Sequence, residues 1–387
     1  MSKKNGETQI NKPLEKECGL YDAAAIFIGA YIVMLLLQFL FSVVLQITDV
    51  PMGDEAENAF DKSPAYSCIV VALNELAFFA APFLYSKIKG RRVWTNCGLG
   101  GKTKPVYLVL AVFIGLFMLP AFSPIATLIN SGFSALGFES TVVPSAQNAG
   151  VLAAYAAVTA LLPAVVEEFL FRGHVSRGFA GRGYVFGMLL SSLLFALMHG
   201  SPVQLVYQFF IGMITCWTYY VTRSLWTSVI EHFVSNIAVL LLDFALTSSG
   251  IDYIEITGTA AGIMAGATVG GIAALLGLCY LLYRLAIKAR GVEEELKAVK
   301  GASPKAWDMR LRLLFESDEE RQKREEEEAF RLSQIANAAT PEIKEMLIQR
   351  FESEDKKDDK KEIKGLIVCF ALPGVIFVLN TILGFVQ

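Results

Sequence analysis

The composition of this 387-residue chain indicates a membrane protein. Hydrophobic residues make up 54% of the sequence and charged residues only 18%. In soluble domains about 25% of the residues are usually charged. The segment 291–364 alone holds 36 of the 71 charged side chains. These figures exclude a single soluble globular domain, and a net charge of −3 gives no basic surface of the kind that binds nucleic acid.

Nine long apolar stretches predict membrane-spanning helices. Each is near the roughly 20 residues that a helix needs to cross the hydrocarbon of a bilayer. None shows the two-residue alternation of a barrel strand. We therefore predict an all-α, polytopic bundle of about nine transmembrane helices, at 23–47, 67–88, 105–130, 148–171, 184–202, 204–222, 225–247, 257–286 and 365–385.

The charged segment 291–364 is predicted to be an insertion between the last two spans. Three short amphipathic stretches in it predict helices, and its runs of like or mixed charge, Glu325–Glu328 and 355–361, are typical of solvated or disordered chain. The predicted organisation is then a tail (1–22), three spans (23–147), a core rich in polar side chains (148–247), an eighth span (248–290), the insertion (291–364) and a ninth span (365–387).

Lysine and arginine alternate between the loops in a way that predicts the orientation of the bundle. The loop 87–104 holds six basic residues, whereas the loop 131–147 holds none. Because short cytoplasmic loops carry the excess of Lys and Arg, we expect the N-terminus and the insertion in the cytoplasm and the C-terminus outside. We expect an integral protein of a bacterial cytoplasmic membrane.

Ionisable side chains occur inside the predicted spans, and most of them fall in one part of the chain. Each costs about 2.5–3.5 kcal/mol to insert, so each needs a partner or a cavity. Six of the eight lie between positions 167 and 232, whereas Glu75 and Asp243 lie apart and are expected to be structural. The eight are Glu75, Glu167, Glu168, Arg172, His199, Glu231, His232 and Asp243.

Helical spacing assigns different parts to the two adjacent glutamates. Glu168 and Arg172 are four residues apart, so they share a helix face and can pair. Glu167 points about 100° away and has no such partner, which suits a general base. Pro163, one turn earlier, removes a helix hydrogen bond and can kink the span towards a cavity.

The histidines and one amide supply the other groups that hydrolysis needs. His232 and Asn236 share a face, from which both could donate hydrogen bonds to a developing oxyanion. His199 could orient a water molecule with Glu167, or share a metal ion with Glu167 and His232. The third histidine, His174, is expected at the cytoplasmic surface.

Three short motifs occur in order on successive spans: Glu167-Glu168-x-x-x-Arg172, Phe195-x-x-x-His199 and His232-x-x-x-Asn236. Together they resemble the CAAX-protease and bacteriocin-processing (CPBP, or Abi) family of intramembrane proteases, which includes the type II CAAX prenyl endopeptidases. The resemblance covers about residues 148–245.

The resemblance implies a role for each matching position. Glu167 matches the glutamate that activates the attacking water, with His199 assisting. His232 and Asn236 match the oxyanion-hole pair. Glu168 and Arg172 match positions that support the catalytic residues in the family. Members have been labelled metalloproteases, although characterised prenyl proteases are interpreted as glutamate-dependent without zinc. A zinc ion on Glu167, His199 and His232 remains an alternative, although the motif HExxH is absent.

The sequence therefore predicts an intramembrane endopeptidase that cleaves a membrane-associated peptide or a lipidated protein tail, of CAAX type or of bacteriocin or pheromone type. Its contacts would be the substrate and membrane lipids, and the oligomeric state is not predicted. Two alternatives remain: a non-catalytic immunity or scaffold protein, and a proton-coupled carrier, since buried acids and histidines also serve carriers.

The predicted span limits place Glu167 and His199 at different depths. Glu167 would lie near the cytoplasmic end of its span, whereas His199 would lie about 15 residues, or roughly 22 Å, into the next one. Because one water molecule must reach both, we expect the two helices to extend further, with residues 172–186 partly above the membrane.

Overall fold

The computed structural model describes residues 19–53, 59–89, 97, 99, 103–138, 144–250, 258–301, 303–316, 318–338 and 340–385. Within these ranges the chain is helical and contains no strand, as predicted. Most of the N-terminal tail and of the basic loop 87–104, on which the predicted orientation depends, lies outside the described residues.

Twelve α-helices and one short 3₁₀ turn (Phe60–Lys62) make up the described chain. We number the helices in chain order and treat Ala149–Ala180 as one helix with two wide π-helical segments, Ala156–Leu161 and Phe171–Ser176. The helices are α1 (Leu20–Ile47), α2 (Pro64–Ile88), α3 (Pro105–Ala135), α4 (Ala149–Ala180), α5 (Tyr184–Met198), α6 (Pro202–Thr222), α7 (Leu225–Ser248), α8 (Gly258–Arg290), α9 (Glu293–Ala298), α10 (Pro304–Phe315), α11 (Asp318–Ala336) and α12 (Pro341–Leu383).

Seven helical segments in the described chain are long and apolar enough to cross a membrane: α1, α2, α3, α4, α7, α8 and the part of α12 at Ile363–Leu383. A polytopic membrane bundle is thus confirmed, but the count of nine is not. Helix α5 is apolar but has only 15 residues, because the chain turns at Gly200 (φ 65°) before Pro202 starts the next helix. Helix α6 carries Gln204 and Gln208 among its apolar residues, which lowers its hydropathy.

Helix α4 extends past Arg172 to Ala180, so the predicted end at residue 171 is wrong. Glu167 then lies about 13 residues before the turn between α4 and α5, and His199 about 15 residues after it, which is roughly 20 Å and 22 Å of helix. The two side chains therefore lie at similar distances along their helices from this turn. The expected extension is found in α4 but not in α5, which begins at Tyr184 and ends at Met198.

Close packing of small residues fixes the helices around α4. A Cβ atom added to Gly115 of α3 would lie 2.5 Å from the carbonyl oxygen of Glu231 on α7, so these two helices meet backbone to backbone. A Cβ at Gly271 of α8 would similarly lie 2.6 Å from the nitrogen of Ala121 on α3. Helix α4 packs between α2 and α7, and α1 packs against α2 and α12.

The charged insertion is helical through most of its described length. The three amphipathic stretches lie in α10, α11 and α12, as predicted. The run Glu325–Glu328 is also helical, because Arg321 pairs with Glu325 at 3.0 Å and Arg324 pairs with Glu328 at 3.6 Å, each four residues along the helix. The run 355–361 lies inside α12, which continues without a break into the last apolar segment.

Candidate active site

Two wide helical turns surround the glutamate pair of α4. One precedes Pro163, which has no N–H to donate, and there the Leu162 N–H donates to the carbonyl oxygen of Ala157. The second begins at Phe171, directly after the turn that carries both glutamates. Such π-helical segments occur often at functional sites, where they redirect side chains within a helix.

Glu168 lies at the centre of a buried network between α4, α6 and α7. One of its oxygens, Oε1, lies 2.9 Å from Arg172 Nη1 and 2.9 Å from His232 Nδ1. Arg172 Nη2 also donates to the carbonyl oxygen of Gly212, at 3.0 Å, and to the hydroxyl of Thr215. Because arginine is always charged, its partner Glu168 is a carboxylate. Glu168 therefore accepts a hydrogen bond from the Nδ1–H group of His232. Glu168 therefore fixes the orientation of the His232 ring.

The other nitrogen of His232 faces Glu167. The distance from His232 Nε2 to Glu167 Oε2 is 3.8 Å, and the two residues are only 4% and 6% exposed. This distance is too long for a hydrogen bond, so both atoms can bond to a third group placed beside them. The structure thus brings together Glu167 and His232, as the sequence predicts.

His199 joins this centre from the end of α5. Its Nδ1 lies 2.8 Å from the carbonyl oxygen of Phe195, so this nitrogen carries the proton and Nε2 keeps a free lone pair. The Phe195 ring makes edge-to-face contacts with His199 and His232, at centroid distances of 5.0 and 5.8 Å, and the Arg172 guanidinium lies 4.7 Å from its centre. Phe195 therefore holds both imidazoles in place. The sequence motif contained this residue, but no role was predicted for it.

Asn236 lies one helical turn beyond His232 on α7 and is half-buried. Within the described residues its amide makes no hydrogen bond, so its proposed oxyanion role rests on its position along the helix. His174, expected at the surface, is instead buried: its Nδ1 lies 2.9 Å from the carbonyl oxygen of Phe169. That prediction is wrong because α4 continues past Arg172 and carries His174 into the bundle.

One group that the sequence analysis set aside belongs to the centre. Glu75 of α2 is 3% exposed, and its carboxyl is hydrogen-bonded to that of Glu167. The only sequence signal for this role was that Glu75 is an acid inside a predicted span that offers it no charged partner. Two other acids lie elsewhere: Glu231 accepts a hydrogen bond from Thr218 at 2.7 Å, and Asp243 accepts one from Ser145 at 3.1 Å.

The donors of the predicted zinc alternative do not form a metal site in the structure. Among the described residues, no three His, Cys, Asp or Glu side chains come together as a group that could hold a metal ion, and this search includes Glu167, His199 and His232.

In the comparison with protein families, residues 149–238 match the model described as Type II CAAX prenyl endopeptidase Rce1-like. This range runs from α4 to α7 and includes all three motifs, but it excludes Glu75 and the insertion. The searches of curated proteins and of solved structures found no match. Over residues 149–238 the chain is therefore similar to the Rce1-like type II CAAX prenyl endopeptidase family.

Proposed function

We propose that this protein is an intramembrane endopeptidase that hydrolyses a peptide bond with a water molecule activated by Glu167. The observation that carries the proposal is the pair formed by the Glu167 carboxyl and the His232 imidazole, whose other nitrogen is bonded to Glu168. Buried ionisable groups are costly in a membrane and are typically functional. The Rce1-like match supports a protease of this class.

In the proposed reaction a water molecule binds beside Glu167 Oε2, and its second O–H donates a hydrogen bond to the Nε2 lone pair of His199 without transferring the proton. Glu167 removes one proton while the water oxygen forms a bond to the peptide carbonyl carbon, and the C=O electron pair moves onto the carbonyl oxygen. As the C–N bond breaks, the leaving nitrogen takes the proton from Glu167. The carboxylate is thereby restored.

The negative oxygen formed in this step needs hydrogen-bond donors. We propose that His232 Nε2–H and the Asn236 amide supply them. Because His232 Nδ1 already donates to Glu168, the ring must carry a second proton to donate from Nε2. The carboxylate of Glu168 stabilises that imidazolium form, so Glu168 is a positioning residue in this scheme.

We propose a membrane-associated peptide or a prenylated protein tail as the substrate, reached from the cytoplasmic side. The Rce1-like match supports this substrate class. The orientation is supported by the basic residues at one end of the bundle, where Arg223 of the α6–α7 turn and Arg290 of α8 contact the insertion.

The test uses the purified full chain in lipid vesicles, supplied with peptides that carry or lack a C-terminal prenylated cysteine. Mass spectrometry of the products compares the wild type with Glu167→Gln and with Asp243→Asn, a control acid outside the site. We expect the same fragments from the wild type and Asp243→Asn and none from Glu167→Gln. Peptide uptake into the vesicles without any cleavage would overturn the proposal in favour of a carrier.

A further inference from the structure

Glu75 is a buried acid outside the matched domain, on the face of α2 that meets α4. It is 3% exposed, and its Oε2 is buried without a hydrogen-bond partner in the described structure. Its carboxyl is hydrogen-bonded to Glu167. An acid held in this way inside a membrane bundle is too costly to be explained by packing alone.

Contacts on both sides of α2 hold Glu75 against Glu167. One turn further along α2, the Phe79 ring lies 5.9 Å from the Phe169 ring of α4, centroid to centroid. On the side facing α1, Asn74 accepts a hydrogen bond of 2.8 Å from Gln38. The approach of the two carboxyls is therefore built into the packing of three helices.

Two carboxyls can share a hydrogen bond only if one of them carries a proton, because a carboxylate has no donor. Glu167 Oε2 lies 3.8 Å from His232 Nε2, and the imidazolium form of His232 in the proposed reaction stabilises a negative charge on Glu167. On Glu75, by contrast, the oxygen Oε2 is buried and has no hydrogen-bond partner among the described residues, so it gains no such stabilisation. The proton of the pair therefore belongs on Glu75.

We propose that Glu75 is a positioning residue: as a neutral acid it donates a hydrogen bond to the Glu167 carboxylate and aims the free oxygen of Glu167 at the attacking water. This inference rests on the proposed peptidase function. When Glu167 takes the proton of the water, both acids are neutral, and each can then donate and accept. The pair therefore stays bonded, and the proton of Glu75 is neither gained nor lost over the cycle.

The kinetic test compares two substitutions in the full chain. Glu75→Gln keeps a neutral donor of the same size, whereas Glu75→Leu keeps the size and removes the donor. We expect Glu75→Leu to lower kcat about 100-fold with little change in KM, since misplacing a catalytic group by an ångström costs this much. We expect Glu75→Gln to keep a kcat close to that of the wild type. Asp243→Asn should have the same kcat as the wild type. An unchanged kcat in Glu75→Leu would overturn the inference.

An infrared measurement tests the shared proton without any need for turnover. The carbonyl stretch of a protonated acid at neutral pH should disappear in Glu75→Gln and persist, shifted, in Glu167→Gln, because the proton resides on Glu75. An unchanged band in Glu75→Gln would overturn the inference even if peptides are cleaved. If no peptide is cleaved but the band behaves as expected, the proposed function fails while the carboxyl pair stands.

Discussion

At the scale of single residues, one oxygen of Glu168 connects the structural and chemical parts of the site. It contacts Arg172, which is 1% exposed and bonded to α6, and it contacts His232, which faces Glu167. An ion pair that lowers the cost of burying two charges thus also fixes an imidazole. The i to i+4 spacing predicted the first role and could not reveal the second, because His232 lies 64 residues away on another helix.

Replacing Glu168 with Gln should disable the oxyanion donor while leaving the helices in place. The amide can still accept from His232 but no longer stabilises its charged form, so we expect kcat to fall about 100–1,000-fold, the cost of losing one oxyanion donor. Steady-state kinetics on the purified chain measures this. A kcat equal to that of the wild type would show that His232 needs no charged partner.

Removal of Arg172 should destabilise the fold, because it leaves Glu168 buried without its cation. We expect Arg172→Met to lower the free energy of unfolding by about 3–5 kcal/mol, measured by denaturation in detergent. The double variant with Glu168→Gln should regain part of this stability but no activity, since no unpaired charge remains. Equal stability of Arg172→Met and the wild type would contradict the account.

At the scale of helices, the apolar stretches predicted most spans. The ends of the helices were harder to predict, because some helices contain charged residues. The predicted span 148–171 stops before Arg172 because an arginine normally ends a hydrophobic run. In the structure Arg172 is paired and α4 continues to Ala180. The contact between Glu75 and Glu167 was not predictable, because it depends on how α2 and α4 pack rather than on spacing within either.

The backbone contact at Gly115 should be sensitive to any added side chain. A Cβ there would lie 2.5 Å from the Glu231 carbonyl oxygen, next to His232, so Gly115→Val must push α3 and α7 apart. We expect a loss of about 1–3 kcal/mol in the free energy of unfolding, the usual cost of overpacking, together with lower kcat.

The matched control is Gly132→Val on the same helix, where an added Cβ meets nothing within 4 Å. Thermal unfolding in detergent should separate the two variants, with Gly132→Val near the wild type. Equal unfolding temperatures for both variants would contradict the close approach of α3 and α7.

At the scale of the whole molecule, the charged insertion is attached to one end of the bundle. Arg290 donates to the carbonyl oxygens of Val221 and Leu314, and the Phe315 ring lies 5.4 Å from that of Tyr184 at the start of α5. The sequence predicted the amphipathic helices of this insertion. It could not predict where they dock, because much of the contact is made with backbone carbonyls, which have no sequence signature.

Shortening Phe315 should loosen this attachment. We expect Phe315→Ala, which empties a buried position between Tyr184 and Tyr220, to speed protease cleavage within 291–340, because local opening becomes easier. Phe330→Ala is the control, since Phe330 is 60% exposed on α11. Equal cleavage rates for the two variants and the wild type would show that α10 does not hold the insertion in place.

The central claim is that helices α2, α4, α5 and α7 place Glu167 beside one water molecule and that this carboxylate, rather than a metal ion, takes the proton of the water. The most direct measurement is kcat for peptide cleavage by the purified full chain, wild type against Glu167→Gln, each with and without a metal chelator. We predict a fall of about 10²–10⁴-fold in Glu167→Gln and no effect of the chelator. Cleavage at the wild-type rate by Glu167→Gln, or loss of wild-type activity in chelator with recovery on added zinc, would contradict the account.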